Sequence, residues 1–263
     1  MLIDSHCHLD KLDLSARDGG LAAALADARA EGVGGFLCVG AEPDDLGAVL
    51  AIAAARDDVW ASAGIHPLAV DGTPMQRRSV EAVLDRVVAI GETGLDFFKH
   101  DNTVDDQLAS FAWHLEEGAR RGLPVIVHTR GARAETIACL RDHGDPSVAG
   151  VLHCFAEDWE TAVAAMDLGY AVSISGIVTF RSADALRDIV RRLPADRLLV
   201  ETDSPWLSPA PHRGRPNEPM RVRRVAECVA EVRGERLEAL AEQTTENFFR
   251  LFAGAQAPPK VSS

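Results

Sequence analysis

Short apolar runs rich in β-branched residues recur along the chain, and longer stretches with helical spacing separate them. The runs are Leu2–Ser5, Val33–Val39, Val59–Gly64, Val87–Gly91, Pro124–His128, Gly150–His153, Ala171–Ser175 and Arg197–Thr202. They are apolar on both faces, as strands of a buried parallel sheet must be. Helical spacing covers Leu21–Ala30, Leu46–Ala55, Asp105–Arg121, Glu135–His143, Trp159–Leu168 and Ala183–Arg192. A last helical region, Met220–Phe252, breaks near Gly234. Asp105 and Asp158 read as acidic helix starts, and Gly122 and Gly144 as helix stops. Eight strand runs with helical stretches between them predict a single (β/α)8 TIM barrel over residues 1–254. No G-x-G-x-x-G or G-x-x-x-x-G-K-[ST] follows the first strand, against a doubly wound nucleotide-binding sheet. The aromatic-rich Asn247–Phe252 reads as a helix end docking on the core, and 255–263 as a disordered C-terminal tail.

Composition narrows the class. A hydrophobic share of 47% and a charged share of 25% fit an ordinary soluble globular protein, and 263 residues fit either one large α/β domain or two small ones. No apolar run is long enough to cross a bilayer, and the N-terminus carries no basic-then-apolar leader. Five cysteines without a C-x-x-C suggest reduced thiols. Together these features place the expected protein in the cytoplasm, with no membrane partner. Cys7 and Cys154 each adjoin a histidine, and strand alternation is expected to turn both to the opposite, core-facing side. The net charge of −13 argues against an extended basic surface for nucleic acid. It leaves room for a phosphate-bearing substrate, because bound divalent cations would invert the field of an acidic cleft.

The polar residues carry the chemistry. In a (β/α)8 barrel the active site forms at the C-terminal ends of the strands. The first run leads into His6-x-His8, the third into His66, the fourth into Glu92, the fifth into His128, the sixth into His153 and the eighth into Glu201-Thr202-Asp203. Residues two apart on a strand share a face, so His6 and His8 point to one place. Alone, the pair is weak evidence for a metal site, and solvent-exposed or hydrogen-bonded histidines are the more common reading. Six strands delivering His or carboxylate to one rim point to metal. His6, His8, Glu92, His128, His153 and Asp203 exceed the needs of one tetrahedral ion and suit two. His6, His8 and Asp203 would hold one divalent ion (Zn, Mn or Mg), His128 and His153 the other, with Glu92 bridging. Strand 4 supplies no lysine for a carbamylated bridge. Glu201 and Asp4 would stand behind the ligand histidines and orient them.

The blocks Asp4-Ser5-His6-Cys7-His8-Leu9-Asp10, Gly91-Glu92-Thr93-Gly94-Leu95-Asp96, Pro124-Val125-Ile126-Val127-His128-Thr129-Arg130, Gly150-Val151-Leu152-His153-Cys154-Phe155 and Glu201-Thr202-Asp203-Ser204-Pro205 resemble those of the TatD family of metal-dependent hydrolases. The likeness is greatest to its bacterial YcfH-like subgroup and runs from Met1 to about Phe252. That resemblance implies an amidohydrolase-like barrel with metal-dependent deoxyribonuclease activity. It also implies a DNA substrate, single-stranded or with damaged ends. The same six residues carry over as ligands. Two departures keep an aromatic and lose a hydroxyl: Phe97-Phe98 and Trp206 stand where the family often has tyrosine. Asp203 is the expected proton acceptor or a ligand only, and Glu92 the second catalytic carboxylate. His66, Arg130, Trp206, Arg213 and Arg215 are the expected substrate contacts. Other hydrolyses by the same metals stay open, such as D-aminoacyl-tRNA ester deacylation or cleavage of a small phosphoester. Nothing in the chain calls for an obligate protein partner, and a monomer is expected.

Overall fold

The computed structural model describes residues 1–98 and 103–256. Eight parallel strands lie in chain order, each hydrogen-bonded to the next. They are β1 (Leu2–Cys7), β2 (Val33–Gly40), β3 (Val59–Ala63), β4 (Ala89–Asp96), β5 (Val125–Arg130), β6 (Gly150–Leu152), β7 (Ala171–Ile174) and β8 (Leu198–Val200). Helices follow them: α1 (Gly20–Ala30), α2 (Leu46–Ala54), α3 (Pro74–Glu81), α4 (Val104–Arg121), α5 (Arg133–His143), α6 (Trp159–Asp167), α7 (Asp184–Arg192), α8 (Val222–Arg233) and α9 (Leu237–Leu251). This is the predicted TIM barrel.

Two apolar layers hold it together. One lies between strands and helices. The other fills the barrel, with Ile3, Leu37, Trp60, Ala89, Ile126, Val151, Ala171 and Leu199 contributed strand by strand. Phe248 of α9 and Phe252 just past its end join that inner layer, and Phe248 packs against Trp60 with ring centroids 5.2 Å apart. The aromatic end of the last helix is thus a plug, as its composition suggested. Ala255 is still buried against this layer. Gln256 is exposed, and 257–263 of the expected tail lie outside the described residues.

The element ends show where local reading stops. Gly234 breaks the last helical region in a left-handed conformation, φ 68°, and Gly122 ends α4 in the same way, φ 67°. Asp158 caps α6, its carboxylate accepting the Thr161 N–H. The cap of α4 is Thr103 instead of Asp105; its hydroxyl accepts the Asp106 N–H, and Asp105 sits in the first turn. The fourth strand does not end at Gly91. It continues through Glu92 to Asp96, with a register shift between Ile90 and Thr93 and pairing that carries on to Asp96–Arg130. Glycines at 91 and 94 hide this continuation from a propensity reading. At Gly94 (φ 136°) a Cβ would come within 2.0 Å of the His128 carbonyl oxygen, so only glycine lets β4 pass β5 this closely.

Candidate metal centre

His6 lies within β1 and His8 one residue beyond it, and the spacing brings both rings to one place. Their Nε2 atoms stand 3.1 Å apart. Oε2 of Glu92 lies 3.4 Å from His6 Nε2 and 3.6 Å from His8 Nε2. Oδ1 of Asp203 lies 3.7 Å and 3.5 Å from the same atoms. A tetrahedral ion with ligand bonds of about 2.1 Å separates its ligands by about 3.4 Å, so this donor set fits one divalent cation. Two neutral imidazoles and two carboxylates are also the chemistry such a cation takes.

The other oxygen of Glu92 serves a second cluster. Oε1 lies 2.7 Å from His153 Nε2, 3.0 Å from His128 Nδ1 and 3.5 Å from His66 Nε2. One carboxylate therefore faces two groups of histidines with one oxygen each, the disposition expected of a bridge. Burial alone would raise Glu92, but the imidazoles of His153, His66 and His128 outweigh it and hold the carboxyl well below the usual range.

His66, expected as a substrate contact, stands beside Glu92 and His128 in a group that could hold an ion. Its hydrogen bonds decide otherwise. Nδ1 accepts the Leu68 N–H at 3.1 Å. Burial lowers its pKa to about 4, so the ring is neutral. The single proton then sits on Nε2, which faces Glu92 and the cleft as a donor and has no lone pair to offer a metal.

A cleft of about 1250 Å³ opens above the clusters. His66, Arg130 and Trp206 line it, as expected of substrate contacts. Trp206 is 49% exposed and stands edge-on over His8, ring centroids 4.9 Å apart. The Arg130 guanidinium lies over the Phe98 ring at 4.2 Å. Arg213 and Arg215 do not reach the cleft wall. Arg213 is stacked on Phe180 at 4.1 Å, and Arg215 is exposed on a turn that its N–H closes to the His212 carbonyl. Chain proximity to β8 placed them near the site, but the Pro/Gly-rich loop carries them past it.

Several residues at the site escaped the sequence reading. Asp96 presents Oδ2 to His128 Nε2 at 3.3 Å, behind the nitrogen that faces Glu92. Carrying β4 onward in steps of two from Glu92 would have reached it. Lys11 and Arg133 line the cleft too, each held by carboxylates: Lys11 by Asp45 at 2.6 Å, Arg133 by Asp158 at 2.7 Å and by Glu157. Cys7 is core, as expected, with its Sγ 3.4 Å from the Leu37 carbonyl. Cys154 is not: its positive φ of 45° breaks the alternation, and the thiol lines the cleft beside Ser175 Oγ at 3.2 Å. Asp4 does not orient the ring of His6. It accepts the Thr202 N–H at 2.8 Å and contacts the Thr202 hydroxyl at 2.6 Å.

Comparison with known proteins agrees with this geometry. The family model described as TatD related DNase matches residues 3–253. YcfH of Escherichia coli K12, a metal-dependent hydrolase, is 47% identical over 255 residues and covers 95% of both chains. TatD of Mycobacterium tuberculosis H37Rv, also a metal-dependent hydrolase, is 36% identical over 263 residues, covering 95% of this chain and 97% of its own. The crystal structure of YjjV, a TatD homologue from Escherichia coli K12, superposes with a TM-score of 0.89 at 31% identity, covering 96% of this chain and 98% of that one.

Proposed function

The chain belongs to the TatD-related DNase family of metal-dependent hydrolases, and from that premise we propose that it hydrolyses DNA phosphodiester bonds at a binuclear metal site. The observation that carries this reading is Glu92, whose two oxygens face two separate histidine clusters. His6, His8 and Asp203 would hold one ion and His128 and His153 the other, with Glu92 between them. When bound, two divalent cations lower the pKa of a nearby water and offset charge on the phosphoryl oxygens.

The remaining chemistry falls to side chains of the chain itself. Asp203 is the proton acceptor: its side chain is 13% exposed toward the cleft, against 4% for Glu92. His66 donates from Nε2 to a substrate oxygen, because its other nitrogen is already an acceptor. Arg130 presents a flat guanidinium at the mouth, suited to a phosphate oxygen pair. Trp206 offers an exposed ring face for an unpaired base.

The test is a substrate panel. Metal-stripped protein is reloaded with Zn²⁺, Mn²⁺ or Mg²⁺ and given labelled single-stranded DNA, nicked duplex, a D-aminoacyl-tRNA and a small phosphoester. Metal-restored cleavage of DNA is expected. Release of the amino acid without DNA cleavage would move the reading to a carboxylic ester.

A further inference from the structure

β3 and β4 stop pairing just before they deliver His66 and Glu92 to the cleft. Their printed partners end at Ala63 with Ile90, and β4 then shifts register between Ile90 and Thr93. On its other side, the chain leaving β3 stays bonded to the chain leaving β2. The Gly64 N–H donates to the Gly40 carbonyl at 3.1 Å, and the His66 N–H to the Ala41 carbonyl at 2.8 Å. Successive N–H groups of a strand point to opposite sides. Ile65, between these two, therefore turns its N–H toward β4, where the ladder has ended.

The acceptor it finds is a side chain of α4. His114 Nε2 takes the Ile65 N–H at 3.2 Å. The ring is fully buried. Its Nδ1 donates to the Ser110 carbonyl at 2.7 Å and stands 3.1 Å from the Thr93 hydroxyl oxygen. The Ile65 N–H can only donate and the Ser110 carbonyl can only accept, so the ring proton is fixed on Nδ1. One ring thus holds the residue before His66 and the residue after Glu92. The two backbones lie close here: a Cβ on Gly64 would come within 2.6 Å of the Glu92 carbonyl oxygen. Across the same seam His66 Nε2 stands 3.5 Å from Glu92 Oε1.

We propose that His114 is a positioning residue: from α4 it supplies the acceptor that the shift in β4 withdraws from Ile65, and so sets His66 and Glu92 against each other in the cleft. The inference rests on the reading of Glu92 as a metal ligand given above. His114 itself touches neither metal nor substrate and acts through Ile65 and Thr93.

The test pairs two substitutions at this position. Asparagine puts a polar atom where Nδ1 stands and none at Nε2, and glutamine does the reverse. His114→Asn therefore loses the Ile65 bond, and His114→Gln can keep it. Each metal-stripped protein is titrated calorimetrically with Zn²⁺. His114→Asn is expected to weaken binding about 10-fold, the low end for outer partners of a metal centre, and His114→Gln to recover most of that loss. Wild-type affinity in His114→Asn, or the same loss in both variants, overturns the proposal. A single equivalent in wild type would defeat the two-metal reading, and the comparison of variants then stands on that equivalent. No binding by wild type would defeat the metal centre itself. In that case, or should His114→Asn fail to fold, ring ¹⁵N–¹H correlation spectra of wild type decide. An Nδ1–H on His114 with an unprotonated Nε2 supports the bond to Ile65, and an Nε2–H overturns it. DNA cleavage enters neither measurement.

Discussion

Asp203 donates its backbone N–H to the carbonyl oxygen of His6 at 2.9 Å, and His8 donates in turn to the Ser204 carbonyl at 2.8 Å. The last and first strands are therefore joined at the level of His6 and Asp203, and closing the barrel also brings His6, His8 and Asp203 together. Asp203 takes a left-handed φ of 56°, which asparagine tolerates well. Asp203→Asn should keep the fold, with a melting midpoint within a few degrees of wild type. DNA cleavage should fall by about 100-fold or more, the usual effect of losing a positioned base. Turnover close to wild type at full metal loading would remove Asp203 as proton acceptor.

Metal removal should be visible in stability as well as activity. His6, His8, Glu92 and Asp203 crowd polar atoms to separations of 3.1–3.7 Å, an arrangement that a cation relieves. A metal at a hundred times its Kd adds about 2.7 kcal/mol to the folded state. For a domain of this size that is a rise of about 5–10 °C in Tm. Scanning calorimetry with chelator, then with excess Zn²⁺, checks this, and identical midpoints would contradict a metal centre here.

Gly94→Ala should be among the most damaging single-methyl changes. The new Cβ would lie 2.0 Å from the His128 carbonyl oxygen on a backbone with φ 136°. Strain and overpacking together should cost about 2–4 kcal/mol. His128 would be displaced with its strand. Chemical denaturation gives the stability loss, and a Zn²⁺ titration should show one weakened equivalent. An unchanged midpoint would mean that β4 can move away from β5 freely.

Acid sensitivity should trace in part to His114. Its Nε2 accepts the Ile65 N–H at 3.2 Å and its Nδ1 donates to the Ser110 carbonyl at 2.7 Å, so the buried ring must be neutral. Burial lowers its pKa from 6.5 to about 4. Between those values the unfolded chain binds the proton and the folded one does not. The stabilisation is complete above about pH 6.5 and is lost as pH falls toward 4. Relative to His114→Gln, wild type should lose about 2 kcal/mol between pH 7.5 and pH 5 in urea unfolding. Parallel pH profiles would exclude this histidine.

The cleft rim should act on binding more than on chemistry. Trp206→Ala removes a stacking surface valued at about 1–3 kcal/mol per base, so KM for single-stranded DNA should rise about 5- to 100-fold with kcat little changed. Arg130→Ala should also raise KM and flatten its salt dependence by about 0.7 in log–log slope. A fall in kcat alone for either variant would place that residue at the reacting atoms instead.

How far the sequence reached is clearest at β4. The apolar run Val87–Gly91 marked the strand, and Glu92 marked the site. The strand's true end, Asp96, was hidden by Gly91 and Gly94, whose low β-propensity reflects close contact with β5 and not a chain reversal. Asp96 was missed with it. Cys154 was misplaced for a related reason: a single positive φ after β6 overrides the two-residue period. His114 gave no local signal, because two of its partners, Ile65 and Thr93, are distant in sequence.

The order of the strands and of every helix except α3, the strand ends bearing histidine and carboxylate, and the aromatic plug on α9 were present in the residues themselves. Burial periodicity is local, and in a parallel barrel every strand's C-terminal end arrives at the same rim. What only the folded chain decided was which atom faces which. Glu92 turns one oxygen to each histidine cluster, His66 spends its lone pair on Leu68, and Glu201 sets Oε1 beside His153 Nδ1 while accepting the Cys154 N–H. Those relations depend on the register shift in β4 and on how the barrel closes between Asp203 and His6. They are set by contacts between residues up to two hundred positions apart, such as Thr202 with Asp4 at a separation of 198, and no local pattern in the chain encodes them.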